Sequence, residues 1–231
     1  MKISVIIPTQ NEAKKIGFLI ENLRKYGGTN LQEIIVIDSP NTADNTFEIA
    51  QNLGVIAVKS PQKGRAVQMN YGANLAKGEI LYFVHADTQI HPDYTSDIIQ
   101  AINAGYHLGC YRHQFDSSHL LLKINAFFTR FPFIWCRGGD QTLFIQKKDF
   151  IKLGCFRQDF QIMEDYEFIL RANKDFKFKI IPKNVIVSAR KYETNSYLRV
   201  QKANFKIMRM FLKRNASQQE MTETYRKMLN Y

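Results

Sequence analysis

Residues 79–88, EILYFVHADT, join a short apolar run to polar residues at its end. The run 80–84 is too short for a helix and is typical of a strand buried on both faces of a sheet. His85 and Asp87 follow it directly. In open α/β sheets, ligands bind beyond the carboxyl ends of the parallel strands. The stretch therefore predicts a buried strand that ends in a ligand-binding carboxylate, Asp87, although a solvated aspartate would fit the stretch taken alone.

Three further apolar runs precede this strand and predict the rest of a parallel sheet. They cover residues 3–7, 33–37 and 55–58 and alternate with patterns of helical period. This alternation predicts parallel strands joined by right-handed crossovers. Asp38 stands at the end of the second strand, so it is expected to share one rim of the sheet with Asp87.

The second half of the chain is less regular. The pattern predicts a helix over 92–104, a helix that begins at 163, and strands over 107–115, 142–145, 178–181 and 185–187. Residues 119–136 are apolar, with Lys123 and Arg130 as their only lysine or arginine. They are either core or a surface for an apolar partner, and core is the favoured prediction.

Composition narrows the class of protein. Lys2 is followed only by a short apolar run, so no signal peptide is expected, and no run approaches the ~20 residues of a membrane span. Three widely spaced cysteines are expected to be reduced thiols. They are Cys110, Cys136 and Cys155. These features favour a cytoplasmic protein.

The formal net charge of +11 is the unusual feature of the composition. Much of it lies in residues 171–231, where Lys and Arg alternate with aromatic and aliphatic residues. Such a segment suits an anionic membrane surface or an anionic acceptor. Binding to nucleic acid is not favoured, because no nucleic-acid motif accompanies the charge.

Taken together, five motifs resemble family 2 glycosyltransferases of the GT-A fold. They are SVIIPTQNE at 4–12, Asp38, GRAVQMNYGANLAKGEILYFVHADT at 64–88, GGDQ at 138–141, and MEDYEF at 163–168. A bacterial subgroup of the family shares the GRA, QMN and HADT sequence motifs. The resemblance covers residues 3–192. It implies a Rossmann-like, mainly parallel sheet flanked by helices over 1–192, with residues 193–231 as a basic helical extension of the same domain.

The resemblance also implies a site for a nucleotide-diphospho-sugar of UDP or GDP type. Base and ribose would be bound by Pro8, Thr9, Glu12 and Asp38. Arg65 begins a helix beside Lys63, where both the cation and the helix N-terminus favour an anion. Arg190 is the expected contact for the leaving diphosphate. A departure from the family pattern at 39–41, SPN, leaves the identity of the base open.

A divalent metal is implied as well. Asp87 matches the last acid of the family's Asp-x-Asp motif, and His85 replaces the first. Mg²⁺ or Mn²⁺ suits such oxygen ligands and would neutralise charge that develops on the diphosphate. His85 is either a second metal ligand, which would favour Mn²⁺, or a packed imidazole beside the site.

The catalytic base would come from the Glu164–Asp165 pair. Adjacent helical residues point about 100° apart, so only one of the two carboxylates is expected to reach the acceptor, and Asp165 is the preferred choice. Both could instead be acids that complement a helix dipole. The loop 138–141 would lie on the acceptor side, with Asp140 and Gln141 as hydrogen-bonding residues for the sugar.

The sequence thus predicts an inverting, metal-assisted glycosyltransferase. The alternative is a catalytically silent protein of the same fold that binds a nucleotide-sugar. A nucleotidyltransferase is disfavoured because no glycine-rich loop follows the first strand. The basic, aromatic C-terminal region suggests a lipid-linked acceptor and peripheral contact with the inner face of a membrane.

Overall fold

A seven-stranded mixed sheet forms the centre of the computed structural model, which describes residues 1–137 and 141–230. The strand order is β3-β2-β1-β4-β6-β5-β7. The strands are β1 (Ile3–Thr9), β2 (Leu31–Asp38), β3 (Ile56–Lys59), β4 (Ile80–Phe83), β5 (Leu108–Phe115), β6 (Leu143–Gln146) and β7 (Phe178–Val187). Strands β1 to β4 are parallel, whereas β6 is antiparallel to both β4 and β5. The prediction of a mainly parallel α/β sheet is confirmed.

Helices cover both faces of this sheet. They are α1 (Ala13–Gly27), α2 (Thr46–Asn52), α3 (Arg65–Leu75), α4 (Tyr94–Asn103), α5 (Leu120–Phe128), α6 (Lys147–Lys152), α7 (Glu164–Ala172), α8 (Lys191–Thr194), α9 (Tyr197–Lys213) and α10 (Gln218–Met228). Apolar residues of α1 and α4 pack into one core, and those of α3, α6 and α7 into another. Side chains of β1 alternate between the two cores, as the period of a strand requires.

Strand β7 replaces the two short strands predicted over 178–181 and 185–187. It pairs in parallel with β5, but its register shifts after Ile181, and the next paired residue is Asn184. Pro182 has no N–H to offer to the ladder, so the strand continues past the proline through an irregularity instead of ending there.

The favoured prediction that residues 119–136 are core is wrong. Within α5 only Leu122 is buried. The structure leaves six large apolar side chains of this segment 45–69% exposed: Leu120, Ile124, Phe127, Phe128, Phe133 and Trp135. Helix α5 contacts β5, yet none of these six side chains belongs to the described clusters of buried apolar residues.

Two predictions from composition can be compared with the described residues. The thiols of Cys110, Cys136 and Cys155 are all free, as predicted. Burial raises the pKa of Cys110 to about 11. Among the described helices, none combines the length and the apolar character needed to cross a bilayer.

A buried carboxylate fastens the carboxyl ends of three neighbouring strands. Asp38, at the end of β2, is fully buried. It accepts hydrogen bonds from Thr9 Oγ1 of β1 at 2.8 Å and from Thr42 Oγ1 at 2.7 Å. Lys59 Nζ, at the end of β3, lies 2.6 Å from its other oxygen. Because every partner comes from a different segment, Asp38 holds the strand ends and their loops in one arrangement.

We expect Asp38→Ala to destabilise the fold by roughly 2–4 kcal/mol, because it leaves the Thr9 and Thr42 hydroxyls without their acceptor and Lys59 without its partner. Urea unfolding of the wild type and the variant measures the difference. Asp175 is exposed and serves as the control position, since Asp175→Ala should change stability by less than about 0.5 kcal/mol. A loss below about 0.5 kcal/mol for Asp38→Ala as well would contradict the role given to Asp38.

Glycine in α3 sets how closely that helix approaches the sheet. A Cβ on Gly72 would lie 2.5 Å from Ile6 Cγ2 and 3.2 Å from Ile37 Cγ1. Gly72→Ala is therefore expected to cost about 1–3 kcal/mol through overpacking. Gly17 of α1 is the matched control, because its Cβ would lie at an ordinary 3.8 Å from Ile49 Cγ2. Gly17→Ala should raise stability by about 0.5–1 kcal/mol, and thermal melting of both variants checks the opposite signs.

Candidate functional site

A wide cleft of about 2570 Å³ opens beyond the carboxyl ends of β1 and β4. Strand β1 has β2 on one side and β4 on the other, so the chain reverses its direction of progress across the sheet at this point. Such a crevice is where open α/β sheets bind ligands. Most of the predicted site residues line it, namely Pro8, Thr9, Glu12, Arg65, His85, Asp87, Glu164, Asp165 and Arg190.

Arg190 connects two acids across the floor of the cleft. Its Nη2 lies 3.1 Å from Glu12 Oε1 and 3.4 Å from Asp87 Oδ2. Glu12 follows β1, Asp87 follows β4, and Arg190 follows β7, so three distant segments meet here. Burial raises the pKa of Glu12 above its usual value, and the hydrogen bond from Arg190 opposes that rise. Since Arg190 is 59% exposed on its side chain, it can also reach an anion in the cleft.

The turn that carries Glu12 is held by the loop after β2. The backbone N–H of Glu12 donates to Thr46 Oγ1 at 2.9 Å, and Asn11 Oδ1 accepts from the N–H of Ala43 at 2.7 Å. Asn11 has φ 57°, a left-handed conformation that few residue types adopt readily. These bonds fix the position from which the Glu12 side chain enters the cleft.

His85 and Asp87 place one imidazole and one carboxylate on the cleft wall after β4. Both are partly exposed. This donor set fits a divalent ion that takes its other ligands from a diphosphate and water, since Mg²⁺ is commonly held by one or two carboxylates together with substrate phosphates. The imidazole would favour Mn²⁺ over Mg²⁺.

Another group of metal-ligating side chains lies outside the cleft. His91, Asp93 and Asp97 bring one ligand atom each to within 4.8 Å of the others. Lys183 Nζ lies 2.8 Å from Asp93 and 2.7 Å from Asp97, so the lysine side chain already forms ion pairs with both carboxylates. The hydrogen bond from Lys183 holds the pKa of Asp93 below its usual value. The arrangement is that of an ion-pair network between α4 and β7.

Glu164 and Asp165 begin α7 but have different environments. Glu164 is buried, with Oε1 at 3.2 Å from Arg65 Nη1. Asp165 is partly exposed on the cleft wall, and its Oδ1 accepts from the N–H of Tyr166 at 2.9 Å. Met163 before them has φ 66°, an unusual backbone conformation for a non-glycine residue. The geometry thus separates a buried carboxylate paired with arginine from one that faces the cleft.

Two of the described site residues that were predicted do not line the cleft. Asp38 is fully buried, and its carboxylate accepts hydrogen bonds from protein donors, among them Thr9 Oγ1. Gln141 is also buried, with Nε2 3.4 Å from the carbonyl oxygen of Thr129. A buried amide that bonds to a neighbouring loop suits a support for that loop better than a contact with sugar. Asp140 lies outside the described residues.

Sequence reasoning missed Gln68, which supports the cleft from α3. Its Nε2 donates to the carbonyl oxygens of Thr9 and Ile37, at 2.8 Å each. Gln68 is 5% exposed and lies on the buried face of the helix. The sequence did offer a signal, because Gln68 stands among small and apolar residues on the buried face of α3. A buried amide needs hydrogen-bond partners within the protein.

The chain matches the family model "Glycosyl transferase family 2" over residues 4–161. An uncharacterized glycosyltransferase of Haemophilus influenzae is 23% identical over 191 residues, which cover 76% of this chain and 63% of that protein. The dolichol-phosphate mannosyltransferase of Pyrococcus furiosus is 32% identical over 46% of this chain and 31% of its own length. The chain therefore spans less than two thirds of either relative.

Solved structures share the fold across most of the chain. TarS of Staphylococcus aureus in complex with UDP-GlcNAc has a TM-score of 0.67 and 17% identity, covering 99% of this chain and 71% of TarS. A mannosyltransferase of Pyrobaculum calidifontis in complex with GDP-Man and Mn²⁺ has a TM-score of 0.66 and 16% identity, covering 97% and 68%. The sheet and its flanking helices are those of GT-A glycosyltransferases. Since the family model matches more than half of its residues, this chain belongs to glycosyl transferase family 2.

Proposed function

We propose that this protein transfers a sugar from a nucleotide-diphospho-sugar to an acceptor hydroxyl, with inversion at the anomeric carbon. The observation that carries the proposal is the meeting of Asp87, Arg190 and Asp165 on one cleft at the carboxyl ends of β1 and β4. A carboxylate for a metal, a cation for a diphosphate and a carboxylate base are the groups that this reaction needs. Membership of the family supports the same reaction.

The donor is proposed to lie along the β1 side of the cleft. Pro8, Thr9 and Glu12 follow each other there, and Glu12 is the carboxylate that can accept hydrogen bonds from ribose hydroxyls. Asp38 contributes from behind by holding Thr9. TarS has been solved with UDP and with UDP-GlcNAc, and the Pyrobaculum calidifontis enzyme with GDP-Man, so both UDP- and GDP-type donors are candidates here.

The reaction is a direct displacement. The acceptor oxygen forms a bond to the anomeric carbon as the bond from that carbon to the diphosphate oxygen breaks. Asp165 accepts the proton of the acceptor hydroxyl, and the electron pair of the broken bond leaves with the nucleoside diphosphate. Arg190 lies where its guanidinium can meet that developing charge, and a cation already in place costs no reorganisation during the reaction.

Asp165 is proposed as the base because Glu164 is engaged elsewhere. Glu164 lines the cleft but is only 2% exposed and pairs with Arg65, so its carboxylate is less accessible to an acceptor than that of Asp165. In turn, Glu164 orients the Arg65 guanidinium at the N-terminus of α3, where it can contact a phosphate or base. The pair thus divides into a base and a positioning residue.

A divalent metal is proposed at Asp87, with His85 as the second protein ligand. When bound, such an ion would offset negative charge on the diphosphate. Complexes with Mn²⁺ are known for the Pyrobaculum calidifontis enzyme and for glucosyl-3-phosphoglycerate synthase of Mycobacterium tuberculosis. Mg²⁺ with UDP is also known for the latter protein.

Thermal melting with UDP or GDP, each with Mn²⁺, Mg²⁺ or EDTA, tests the donor and the metal together. A ligand at 100 times its Kd that binds only the folded protein stabilises it by about 2.7 kcal/mol. We expect one nucleotide to raise the Tm by roughly 5–10 °C with metal, and Asp87→Ala to lose the part of this shift that EDTA removes. Asp93→Ala, which changes a carboxylate outside the cleft, should keep it.

The opposite pattern would overturn the assignment. A metal-dependent shift that survives in Asp87→Ala and disappears in Asp93→Ala would locate the ion in the Lys183 network. No shift with any nucleotide at millimolar concentration would remove the proposed donor. A shift without turnover would favour the second candidate, a silent nucleotide-sugar-binding protein, which the histidine at position 85 in place of the family's acid supports.

Asp165→Asn and Glu164→Gln separate the two acids. Release of nucleoside diphosphate from the donor that gives the thermal shift is the measure of activity. We expect Asp165→Asn to lower kcat by roughly 10²–10⁴-fold, the usual contribution of a general base, with the nucleotide shift unchanged. Glu164→Gln should mainly lower the Tm and weaken nucleotide binding through Arg65. If Glu164→Gln abolishes turnover while Asp165→Asn retains it, the two roles are reversed.

A further inference from the structure

An exposed apolar platform stands beside the cleft. We use this name for six side chains of α5 and the following loop: Leu120, Ile124, Phe127, Phe128, Phe133 and Trp135. Each is 45–69% exposed. An exposed apolar surface of this kind is typical of a site of interaction with a protein or a membrane.

Aromatic contacts and a buried arginine connect the parts of the platform. Phe131 lies at its centre, with ring centroids 5.9 Å from Phe127, 6.0 Å from Phe128 and 6.3 Å from Phe133. Beneath it, the buried guanidinium of Arg137 donates to the carbonyl oxygens of Thr129 and Phe131. A buried arginine that satisfies two loop carbonyls holds the loop in shape, so the rings stay exposed instead of folding inward.

The chain segment that forms the platform carries cations and no acids. The stretch 117–139 contains no Asp or Glu. Lys123 and Arg130 belong to the platform segment, and the Arg130 guanidinium lies 3.7 Å from the centre of the Phe127 ring. Helix α9, on the same cleft, also lacks acids and exposes Lys206 and Arg209 among its cations. Apolar side chains with cations around them match an anionic lipid surface, where the rings enter and the cations meet phosphate.

The platform and the cleft share residues. Ile124, Phe128 and Trp135 line the cleft as well as the exposed surface, and Phe205 of α9 lines it too. A bilayer in contact with the platform would therefore lie at the mouth of the cleft.

From these observations we propose that the platform docks on an anionic bilayer and turns the mouth of the cleft toward the lipid headgroups. A second copy of the chain is a poorer occupant, because self-association would bring Lys123 and Arg130 against the cations of an identical surface in a protein of net charge +11. The consequence rests on the proposed function: a transferase held in this way takes its acceptor from the membrane surface.

Trp135 makes the test direct, since it is the only tryptophan of the chain. Intrinsic fluorescence is recorded while the full chain is titrated with vesicles of phosphatidylcholine alone or with about one third phosphatidylglycerol. We expect a blue shift with the anionic vesicles and quenching when the lipids carry bromine near the glycerol end of the acyl chains. High salt should weaken binding, because the cationic part of the attraction is screened.

Two matched variants locate the contact. Phe133 and Phe18 are both 56% exposed, but Phe18 lies on α1, outside the platform. Vesicle co-sedimentation of Phe133→Ser should show at least about tenfold weaker binding than the wild type, from the loss of one inserted aromatic ring. Phe18→Ser should bind as the wild type does. The melting temperature and the nucleotide thermal shift of both variants are measured alongside and are expected to be unchanged, so that a docking defect is distinguished from unfolding and from loss of donor binding.

Several outcomes would overturn the proposal. One is the absence of a fluorescence change with anionic vesicles, and another is equal loss of vesicle binding in Phe18→Ser and Phe133→Ser. A third is a dimer, detected by light scattering, that Phe133→Ser dissociates in a protein that does not bind vesicles. A failed nucleotide shift with intact vesicle binding would count against the transferase function alone.

Discussion

The cleft depends on the fixed carboxyl ends of β1, β2 and β3, which the buried carboxylate of Asp38 holds. Thr9, Thr42 and Lys59 all donate to it, and Gln68 adds bonds to the carbonyl oxygens next to it. A buried acid is stable only when its hydrogen-bonding capacity is used by well-placed donors. The same requirement that satisfies Asp38 therefore fixes Thr9 and the turn to Glu12, from which the cleft is built.

The sequence predicted the fold well where the spacing of apolar residues indicated a strand and polar residues followed at its end. The parallel strands and the position of Asp87 at the sheet rim follow from these signals, because a buried strand must end in a loop at the rim. The positions of Arg190 and Asp165 were expected only from the resemblance to the family. The prediction failed at residues 119–136, since an apolar run has the same composition whether it is covered or not. The burial of Asp38 among protein donors was not predicted, because Thr9 and Lys59 lie far from it in sequence and their convergence is a property of the folded chain.

Neighbouring acids acquire different properties from their surroundings. Glu164 and Asp165 are adjacent in sequence, yet one is buried against Arg65 and the other lies on the cleft wall. Met163, directly before them, has a left-handed backbone, and the two side chains of α7 point about 100° apart. Placing two titratable groups in unlike environments is a common way for an enzyme to separate their roles. The sequence pattern does not show which of the two carboxylates is paired, whereas the position of the Arg65 guanidinium does.

The cleft of this strongly basic protein contains acidic side chains that are paired with a cation. A net charge of +11 attracts anions over distances comparable to the screening length. This attraction would favour both the proposed diphosphate donor and the proposed anionic surface. At the cleft the sign changes locally, where Glu12 and Asp87 lie against Arg190. Paired in this way, the acids do not repel an arriving diphosphate as bare carboxylates would. On the proposed function, Asp87 would hold the divalent ion and Arg190 would contact the diphosphate, so the residues of this ion pair would serve both the empty and the loaded cleft.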